Sequence, residues 1–380
     1  MLSKKQLALL SIGASLTFWD IFNVPYIENY ASADIGEVSS TLILSAEMIG
    51  YFVGGLFNGY IAMKYGRKKG LILSMLLISL GSLLGLLSIN YLQLVLAEFI
   101  IGVGIEGEIS VLPAYIAEMS PYTSRGRAIG FTTMSGFLMS LVVGPIAVIL
   151  GEEFWRLLFV PSLVLSLISM VYRVRLPESK MWVQKREDKF KWDNTVILFL
   201  IIWFMSYFTG YSLFATPIFQ FLGSHGFSNT SIAFTYILYG DPVGVVVASL
   251  LNDSIERKYS SSMPNLLTAV LMAIWPFTPS TAFLPVGFAI MFLQGFKFPT
   301  MYSYTAENLS TKIRTLGYGI ADGIGHLGGA VGPIVYALST SYLGVNYATM
   351  IVGSVSVISA ILILLYGLVT TGLPLERLKG

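Results

Sequence analysis

Acidic side chains occur in stretches of this chain that are otherwise apolar. The segment AEFIIGVGIEGEISVLPAYIAEM (97–119) is long enough to form one helix, yet it carries four carboxylates, Glu98, Glu106, Glu108 and Glu118. A carboxylate in apolar surroundings is unfavourable unless it meets a partner, binds a ligand or takes up a proton. The pattern therefore indicates proton transfer or ligand binding in the interior of the protein.

The same chemistry is available in other long apolar segments. The interior set has seven acids, one lysine and one histidine: Asp20, Glu47, Glu98, Glu106, Glu108, Asp241, Asp322, Lys297 and His326. Seven carboxylates with so few cationic partners would not all stay ionised, so some are expected to take and release protons. The predicted proton-coupling residues are Asp20, Glu98, Glu106, Glu108 and His326.

Asp20 is the preferred proton site. It lies in the middle of LTFWDIFNVPY (16–26), and Asn23 follows three residues later on the same face of a helix. The competing interpretation is a structural hydrogen bond between Asp20 and a neighbouring helix. His326 also has two interpretations, a proton relay or a hydrogen-bonded packing residue, because imidazole titrates near physiological pH.

The acids of segment 97–119 cannot all face one cavity. In an α-helix, Glu98 lies about 80° from Glu106 on one side and about 80° from Glu108 on the other, so Glu106 and Glu108 are about 160° apart. Glu98 and one of the other two can face a central cavity, and the third must meet a neighbouring helix. The sequence leaves open whether Glu106 or Glu108 faces the cavity.

A solute site is indicated by the interior lysine and by a pair of tyrosines. Lys297, in QGFKFPT, is expected to be the only interior lysine or arginine. It either neutralises an interior acid or binds an anionic solute. Tyr207 and Tyr211 are four residues apart, so both can line a site from one helix face. The predicted substrate-binding residues are Asn23, Tyr207, Tyr211, Asp241, Lys297 and Asp322.

These side chains need elements that keep them away from water, and the composition indicates a lipid bilayer. Of the 380 residues, 55% are hydrophobic and 12% are charged, whereas about a quarter of the residues in soluble proteins are charged. A membrane-spanning helix needs about 20 apolar residues. Twelve segments meet that length or approach it: 6–29, 39–63, 70–89, 91–118, 128–150, 155–172, 194–221, 230–251, 265–281, 283–308, 316–340 and 346–371.

Basic residues fall on one side of the predicted bundle. If both termini are cytoplasmic, every lysine and arginine except Arg156 and Lys297 lies in a cytoplasmic segment. This distribution follows the positive-inside rule. We therefore predict an all-α integral membrane protein that crosses the cell (plasma) membrane twelve times, with both termini in the cytoplasm.

The longest polar segment divides the chain into two halves of six predicted spans each. The expected parts are an N-terminal bundle (1–172), a cytoplasmic linker (173–193) and a C-terminal bundle (194–380). The halves resemble each other weakly: GYIAMKYGRKKG (59–70) follows the second span, and SLLNDSIERKYS (249–260) follows the eighth. Two six-helix repeats are typical of transporters whose site lies between the halves.

Two glycine-rich stretches resemble nucleotide-binding motifs but lack their context. GVGIEG (102–107) and GIGHLG (323–328) fit G-x-G-x-x-G, a pattern that requires a preceding strand. Inside apolar segments, small residues favour close helix packing instead. The chain has no Walker-type loop, only two histidines and no cysteine. We therefore predict no enzyme activity, no cofactor, no metal site and no nucleic-acid partner.

The chain resembles the major facilitator superfamily, nearest its sugar-porter and metabolite:proton symporter branches. The motifs that carry the resemblance follow in the family's order: GYIAMKYGRKK (59–69), GVGIEGE (102–108), AEMSPYTSRGR (117–127), RLPESKMWV (175–183), AENLSTKIRTLGYGIADGIGHLGG (306–329) and GLPLE (372–376). The resemblance implies alternating access, and Asp20 falls where related symporters carry a titrating Asp. It also implies a cytoplasmic gate made of Gly59, Gly66, Arg67, Lys68, Glu118, Arg125, Arg127, Asp253 and Arg257. Within this gate, Glu118 is expected to pair with Arg125 or Arg127.

Three positions depart from the family's pattern. Met63 stands where the family usually has an Asp that helps to lock the gate. Glu98 and His326 stand where the family often has Arg. If those arginines bind anions or brace the gate in relatives, this chain must work without them.

Together these features predict a secondary active transporter. It is expected to move a small metabolite, a sugar or an organic acid, by alternating access and proton symport. The alternative is a proton-coupled antiporter that exports organic cations or drugs, which an acid-rich interior without arginine would favour. A membrane receptor without transport is the alternative from another class. The expected partners are the solute, protons and the lipid bilayer, and the sequence leaves the oligomeric state open.

Overall fold

The computed structural model describes residues 2–35, 40–151, 153–184, 193–214, 217–228 and 230–378. Within these ranges, all regular secondary structure is helical. We number as α1–α12 the twelve helical segments that correspond to the predicted spans, several of which contain a break.

The first half of the chain contains α1–α6. Their bounds are Lys4–Ile35 (α1), Ser40–Tyr65 (α2), Arg67–Leu86 (α3), Tyr91–Met119 (α4), Arg125–Phe137 with Ser140–Leu150 (α5), and Trp155–Leu158 (a 3₁₀ turn) with Phe159–Val174 (α6). A short helix, Lys180–Gln184, follows α6.

The second half contains α7–α12. Their bounds are Asn194–Ser212 with Pro217–Ser224 (α7), Thr230–Leu238 with Gly240–Leu251 (α8), Arg257–Ile274 with the 3₁₀ turn Trp275–Phe277 (α9), Ser280–Asn308 (α10), Arg314–Leu343 (α11), and Val345–Ser354 with Ser356–Tyr366 (α12). A short helix, Leu375–Leu378, follows α12.

The predicted all-α architecture of twelve helices is confirmed. In the described part of the chain, seven segments are long and apolar enough to cross a membrane by length and composition. Three boundaries differ clearly from the prediction. α1 ends at Ile35, six residues later than expected. α9 begins at Arg257, earlier than expected, because the serines 260–262 are buried in the bundle rather than in a loop. α12 ends at Tyr366, earlier than expected, because Gly367 has an extended backbone.

The two most extensive contacts between the halves are those of α2 with α11 and of α5 with α8. At the first contact, a Cβ atom placed on Gly55 would lie 2.2 Å from the carbonyl oxygen of Gly319. At the second, the Ser249 hydroxyl donates a hydrogen bond to the carbonyl oxygen of Gly130 (2.8 Å). Small residues at these positions let the main chains of the two halves approach closely.

α4 and α11 occupy central positions in the bundle. α4 packs against α2 and α3, and α11 packs against α2 and α7. α4 also contacts α11 directly. All four acids of α4 are buried, as are Asp322 and His326 of α11. The packing therefore brings the interior acids of the two halves together.

Candidate functional site

A cavity of about 90 Å³ lies between the two halves. α1, α4 and α5 line one side of it, and α7, α8, α10 and α11 line the other. Its wall is largely aromatic: Phe18, Phe22, Phe137, Tyr207, Tyr211, Phe214, Phe298 and Tyr302. Besides the tyrosines, the polar side chains in the lining are Asp241, Gln294 and His326. Two of the tyrosines, Tyr207 and Tyr211, are those that the sequence predicted for a solute site.

Glu106 of α4 and Asp322 of α11 meet beside this cavity, at the boundary between the halves. Both side chains are fully buried. Together with His326 they form a group whose nitrogen and oxygen atoms lie within 4.8 Å of one another. Nδ1 of His326 is 3.6 Å from Oε2 of Glu106 and 3.8 Å from Oδ2 of Asp322. The fold thus places two predicted proton-coupling residues against one predicted substrate residue.

Hydrogen bonds orient Asp322 and His326 but not Glu106. The Tyr207 hydroxyl donates to Oδ1 of Asp322 (3.0 Å), and Nδ1 of His326 is 3.0 Å from the main-chain oxygen of Asp322. The rings of Tyr207 and His326 are also in contact, with centroids 4.2 Å apart. Among the described residues, no N–H or O–H group donates to either carboxylate oxygen of Glu106, whose polar neighbour is the carboxyl group of Asp322. Glu106 is therefore placed to hold a proton or a cation.

α2 adds a further acid close to this cluster. The Tyr51 hydroxyl donates a hydrogen bond to Oε1 of Glu47 (2.7 Å), and both residues are buried. The Tyr51 ring meets His326 edge-on, with centroids 4.7 Å apart. Glu47, an interior acid without a predicted role, is thus connected to the cluster through one tyrosine.

The cluster of Glu106, Asp322 and His326 also contains side chains that bind metal ions in other proteins, although the sequence predicted no metal site. Three protein ligands are the donor set of an open zinc site. Nδ1 of His326, however, already lies within hydrogen-bonding distance of the Asp322 main chain. The chemistry that two carboxyl groups and one imidazole supply without any added group is proton exchange.

Lys297 of α10 is fully buried beside the cavity. Its Nζ donates hydrogen bonds to the main-chain oxygen of Ser206 (3.2 Å) and to Oε1 of Gln294. Asp241 of α8, which lines the cavity, interacts electrostatically with Lys297. The predicted substrate residues Asp241 and Lys297 therefore lie together, and the sequence had not indicated Gln294.

Asp20 is fully buried but does not line the central cavity. Its Oδ1 accepts a hydrogen bond from the hydroxyl of Ser162 in α6. The Asn23 amide donates to the main-chain oxygen of Leu158 (3.4 Å). Both predicted residues therefore point towards α6 of their own half. A serine in an apolar helix gives no indication of its partner, so the sequence did not reveal Ser162.

Glu108 forms a buried ion pair with Arg173 of α6, whose guanidinium contacts both carboxylate oxygens. The Nη1–Oε2 distance is 2.6 Å. The sequence had assigned Arg173 to a polar linker and had left Lys297 as the only interior lysine or arginine. Both expectations are wrong, because α6 continues to Val174 and holds the guanidinium against the main-chain oxygen of Leu71 (2.9 Å).

The rotation of α4 gives its acids different neighbours. Glu106 faces α11 in the other half, whereas Glu108 faces α6 in its own half. Glu98 is fully buried, but it is not part of the cavity lining. Glu106 is therefore the acid of this helix that lies at the boundary between the halves.

Both ends of the described chain lie at one end of the bundle. There the Leu2 amide donates to the Met119 oxygen (2.9 Å), and the Thr370 amide donates to the carboxylate of Glu256 (3.0 Å). The residues predicted to form a gate are found at this end. They belong to two networks of ion pairs, which we name after their central residues the Glu118 network and the Glu307 network.

The Glu118 network joins α3, α4 and α11. Glu118 Oε1 lies 3.0 Å from Nη2 of Arg67 and 2.6 Å from Nη1 of Arg314. Arg67 also donates to the Thr311 oxygen of the other half (2.5 Å). The expected pairing of Glu118 with Arg125 or Arg127 is wrong, because its second arginine comes from the other half of the chain.

The Glu307 network joins α5, α9 and α10. Glu307 Oε1 lies 2.6 Å from Nε of Arg125 and 3.3 Å from Nη1 of Arg257. Asp253 accepts hydrogen bonds from the main-chain amides of Gly126 and Arg127, both at 2.8 Å. Asp253 also pairs with Arg257 (2.5 Å) and with the Arg127 guanidinium (3.2 Å).

The two networks are reciprocal. Each glutamate ends a helix of its own half, and its partner from the other half is the arginine that begins α11 or α5. The sequence contains a signal for this arrangement: in each half, the arginine follows the glutamate by seven residues, Glu118 to Arg125 and Glu307 to Arg314. Matching the two repeats more closely would have identified Glu307 and Arg314.

The remaining predicted gate residues surround the Glu118 network. The Gly59 oxygen accepts a hydrogen bond from the Thr315 hydroxyl (3.1 Å). Gly66 has a φ of 118°, which favours glycine, and it precedes α3. The Lys68 amide lies 3.3 Å from the carboxylate of Glu178. Met63, at the position of the family's Asp, is buried.

Comparisons with known proteins agree with this geometry. The model of the Major Facilitator Superfamily matches residues 8–242 and 231–377. The chain is 27% identical to the sialic acid transporter NanX of Escherichia coli (strain K12), over 96% of the chain and 93% of that protein. It is 23% identical to the putative metabolite transport protein YyaJ of Bacillus subtilis (strain 168), again over 96% and 93%.

A solved structure of the proton:xylose symporter XylE, bound to 6-bromo-6-deoxy-D-glucose, has the same fold. Its TM-score is 0.83 at 16% identity, with 98% of this chain and 97% of that chain covered. These proteins are transporters rather than enzymes, in agreement with the prediction that the chain is not an enzyme. The protein, a multi-pass membrane protein with a cavity between two six-helix halves, belongs to the Major Facilitator Superfamily.

Proposed function

We propose that this secondary transporter of small metabolites carries a sugar or an organic acid into the cell by symport with protons. Its relatives include a sialic acid transporter and, by fold, a proton:xylose symporter. We further propose that it lies in the plasma membrane with both termini in the cytoplasm, because the basic residues concentrate on that side. The two ion-pair networks then close the cytoplasmic end of the cavity.

The observation that supports proton coupling most strongly is the contact between Glu106 and Asp322. Two ionised carboxylates this close, away from water, would repel each other strongly. A proton on one of them removes the repulsion and allows α4 and α11 to stay together. Because the two acids come from opposite halves, this proton stabilises the conformation in which α4 of one half is in contact with α11 of the other.

The proton is expected to reside mainly on Glu106. Asp322 accepts a hydrogen bond from Tyr207, which favours its ionised form. Neither oxygen of Glu106 has such a donor among the described residues. His326 lies within 4 Å of both carboxylates, so it can relay a proton between this cluster and the cavity that it lines.

The other predicted proton residues have different roles in this proposal. Asp20 is hydrogen-bonded to Ser162 and is retained as a second proton site. Glu108 is paired with Arg173, so its charge is compensated and its role is structural. Glu98 is buried outside the cavity lining and is not part of the coupling cluster.

The gate networks supply the conformational part of the cycle. In the structure both networks join the halves, so the end that holds the termini is closed. Buried ion pairs are expensive to break one partner at a time. Opening this end therefore requires Glu118 to part from Arg314 and Glu307 to part from Arg125 in one movement, as expected for alternating access.

Proton movement in liposomes tests the proposed symport. Purified protein is reconstituted with a pH-sensitive dye inside, and xylose, sialic acid or organic cations are added outside. Symport predicts that a transported sugar or acid acidifies the interior as protons enter with it. Alkalinisation of the interior after adding a cation would instead favour the proton-coupled antiporter. Solute uptake without any change of pH would contradict proton coupling altogether.

A further inference from the structure

We propose that the transported solute is an aromatic carboxylic acid with a hydrogen-bond donor on or near its ring. Its carboxylate passes Gly210 and binds Lys297. This inference rests on the proposed transport function and narrows its substrate class. It arises from three features of the central cavity: an aromatic wall, a buried ammonium group, and a carboxylate oxygen without a partner.

The aromatic wall favours a flat apolar solute over a sugar. Aromatic side chains from α1, α5, α7 and α10 surround the cavity. Rings of this kind pack well against another ring, in stacked or edge-on arrangements. A sugar would need a hydrogen-bond partner for each buried hydroxyl, because a buried hydroxyl without a partner weakens binding. The hydroxyl of Tyr207 is already engaged with Asp322.

Lys297 provides the positive charge for a carboxylate. An ammonium group has three N–H donors. In the described part of the protein, two acceptors lie within hydrogen-bonding distance of Nζ, the Ser206 main-chain oxygen and Oε1 of Gln294. A solute carboxylate would supply an acceptor for the third N–H, on a nitrogen that lies 5.5 Å from the centroid of the Phe298 ring. A charge-assisted hydrogen bond to a carboxylate is about twice as strong as a neutral one.

Gly210 places no side chain between the cavity and Lys297. Gly210 belongs to the cavity lining, whereas Lys297 lies behind it. A Cβ atom placed on Gly210 would be 3.5 Å from Nζ of Lys297 and 3.1 Å from Oε1 of Gln294. Any side chain at this position would thus occupy the space in front of the ammonium group. The absence of one lets a carboxylate reach Lys297 from the cavity.

Asp241 is the reason to expect a hydrogen-bond donor on the solute as well as a carboxylate. Its side chain lines the cavity and interacts electrostatically with Lys297, so it compensates the lysine charge in the empty protein. Its Oδ1 has no hydrogen-bond partner among the described residues. A solute hydroxyl or amino group placed near the carboxylate would satisfy this oxygen. A solute with both groups matches Lys297 and Asp241 at once.

Binding measurements on the purified full-length protein test this inference without requiring transport. The probes are 2-aminobenzoate, benzoate, xylose and benzyltrimethylammonium, titrated by calorimetry in detergent. We expect 2-aminobenzoate, whose amino group lies beside its carboxylate, to bind best and benzoate to bind more weakly. Lys297→Gln should weaken 2-aminobenzoate binding about tenfold or more. Lys5→Gln, which removes the same charge from an exposed position, should leave binding unchanged.

Two further variants keep the test decisive if Lys297→Gln does not fold. Gly210→Ala should weaken 2-aminobenzoate binding by closing the space in front of Lys297. Asp241→Asn should reduce the preference for 2-aminobenzoate over benzoate. Unchanged binding in Gly210→Ala and in a folded Lys297→Gln would overturn the assigned carboxylate site.

The result with the other probes separates this inference from the proposed function. Binding of xylose without the benzoates would overturn the aromatic-acid inference and leave sugar symport standing. Binding confined to benzyltrimethylammonium, lost in Asp241→Asn, would overturn the inference and support the cation antiporter. Absence of benzoate binding would likewise overturn it, while the proton measurement in liposomes would still decide the proposed symport.

Discussion

Glu106 and Asp322 bring one carboxyl group from each half of the transporter into a single buried cluster, with His326 beside them and with the three groups within 4.8 Å of one another. The cluster exists only while α4 and α11 are in contact. In an alternating-access transporter, a group that binds protons in one conformation only links protonation to that conformation. The relationship between these two acids is therefore the basis of the proposed coupling.

The ion pair of Glu108 with Arg173 should be a stability element rather than a part of the transport cycle. Arg173→Met leaves a buried carboxylate without its partner, which costs about 3–5 kcal/mol in comparable sites. We expect a large loss of thermal stability in detergent for this variant. The double variant Arg173→Met with Glu108→Gln should recover most of it. Equal losses in the single and double variants would show that the pairing is not what stabilises this region.

The reciprocal gate networks should contribute equally to closure. Because the chain has no cysteine, Thr315→Cys provides a unique reporter at the buried contact between α2 and α11. Glu118→Gln and Glu307→Gln should each increase the rate at which a maleimide labels this cysteine, since each removes an ion pair between the halves.

The control for the gate experiment is Glu153→Gln, which neutralises an exposed acid away from both networks. It should leave the labelling rate unchanged. If the labelling rate increased in Glu118→Gln but not in Glu307→Gln, the Glu307 network would not hold the closed state, contrary to the reciprocal arrangement.

The close approach of Gly55 and Gly319 should be required for the halves to close fully. A Cβ atom on Gly319 would lie 2.1 Å from the carbonyl oxygen of Gly55, so Gly319→Ala must separate α2 from α11. We expect faster labelling of Thr315→Cys and slower solute uptake. Gly223→Ala is the matched control, because a Cβ there meets its nearest neighbour at 3.7 Å. Unchanged labelling in Gly319→Ala would show that the contact tolerates a side chain.

The helices could be predicted from the sequence because their length and hydropathy are local properties. The buried serines 260–262 were the exception, since only packing against other helices makes a polar run interior. The choice between Glu106 and Glu108 depends on how α4 rotates in the bundle, which helical periodicity does not specify.

Long-range partners could not be predicted from the sequence. The sequence paired Glu118, a predicted gate residue, with a nearby arginine, whereas the fold pairs it across the halves with Arg314. Asp20 was identified as an interior acid, but its partner Ser162 is 142 residues away in the chain. Long-range partners of this kind follow from helix packing, so only a repeat such as Glu118 to Arg125 and Glu307 to Arg314 gives a local indication.

The most direct test of the account compares Glu106→Gln with Asp20→Asn in liposomes with an imposed pH gradient. For a solute that the wild-type protein accumulates, the account predicts that Glu106→Gln abolishes accumulation driven by the gradient, while exchange of labelled for unlabelled solute continues. Asp20→Asn should retain at least part of the accumulation. Full accumulation in Glu106→Gln, with loss of accumulation in Asp20→Asn, would contradict the assignment of the coupling proton to the contact between Glu106 and Asp322.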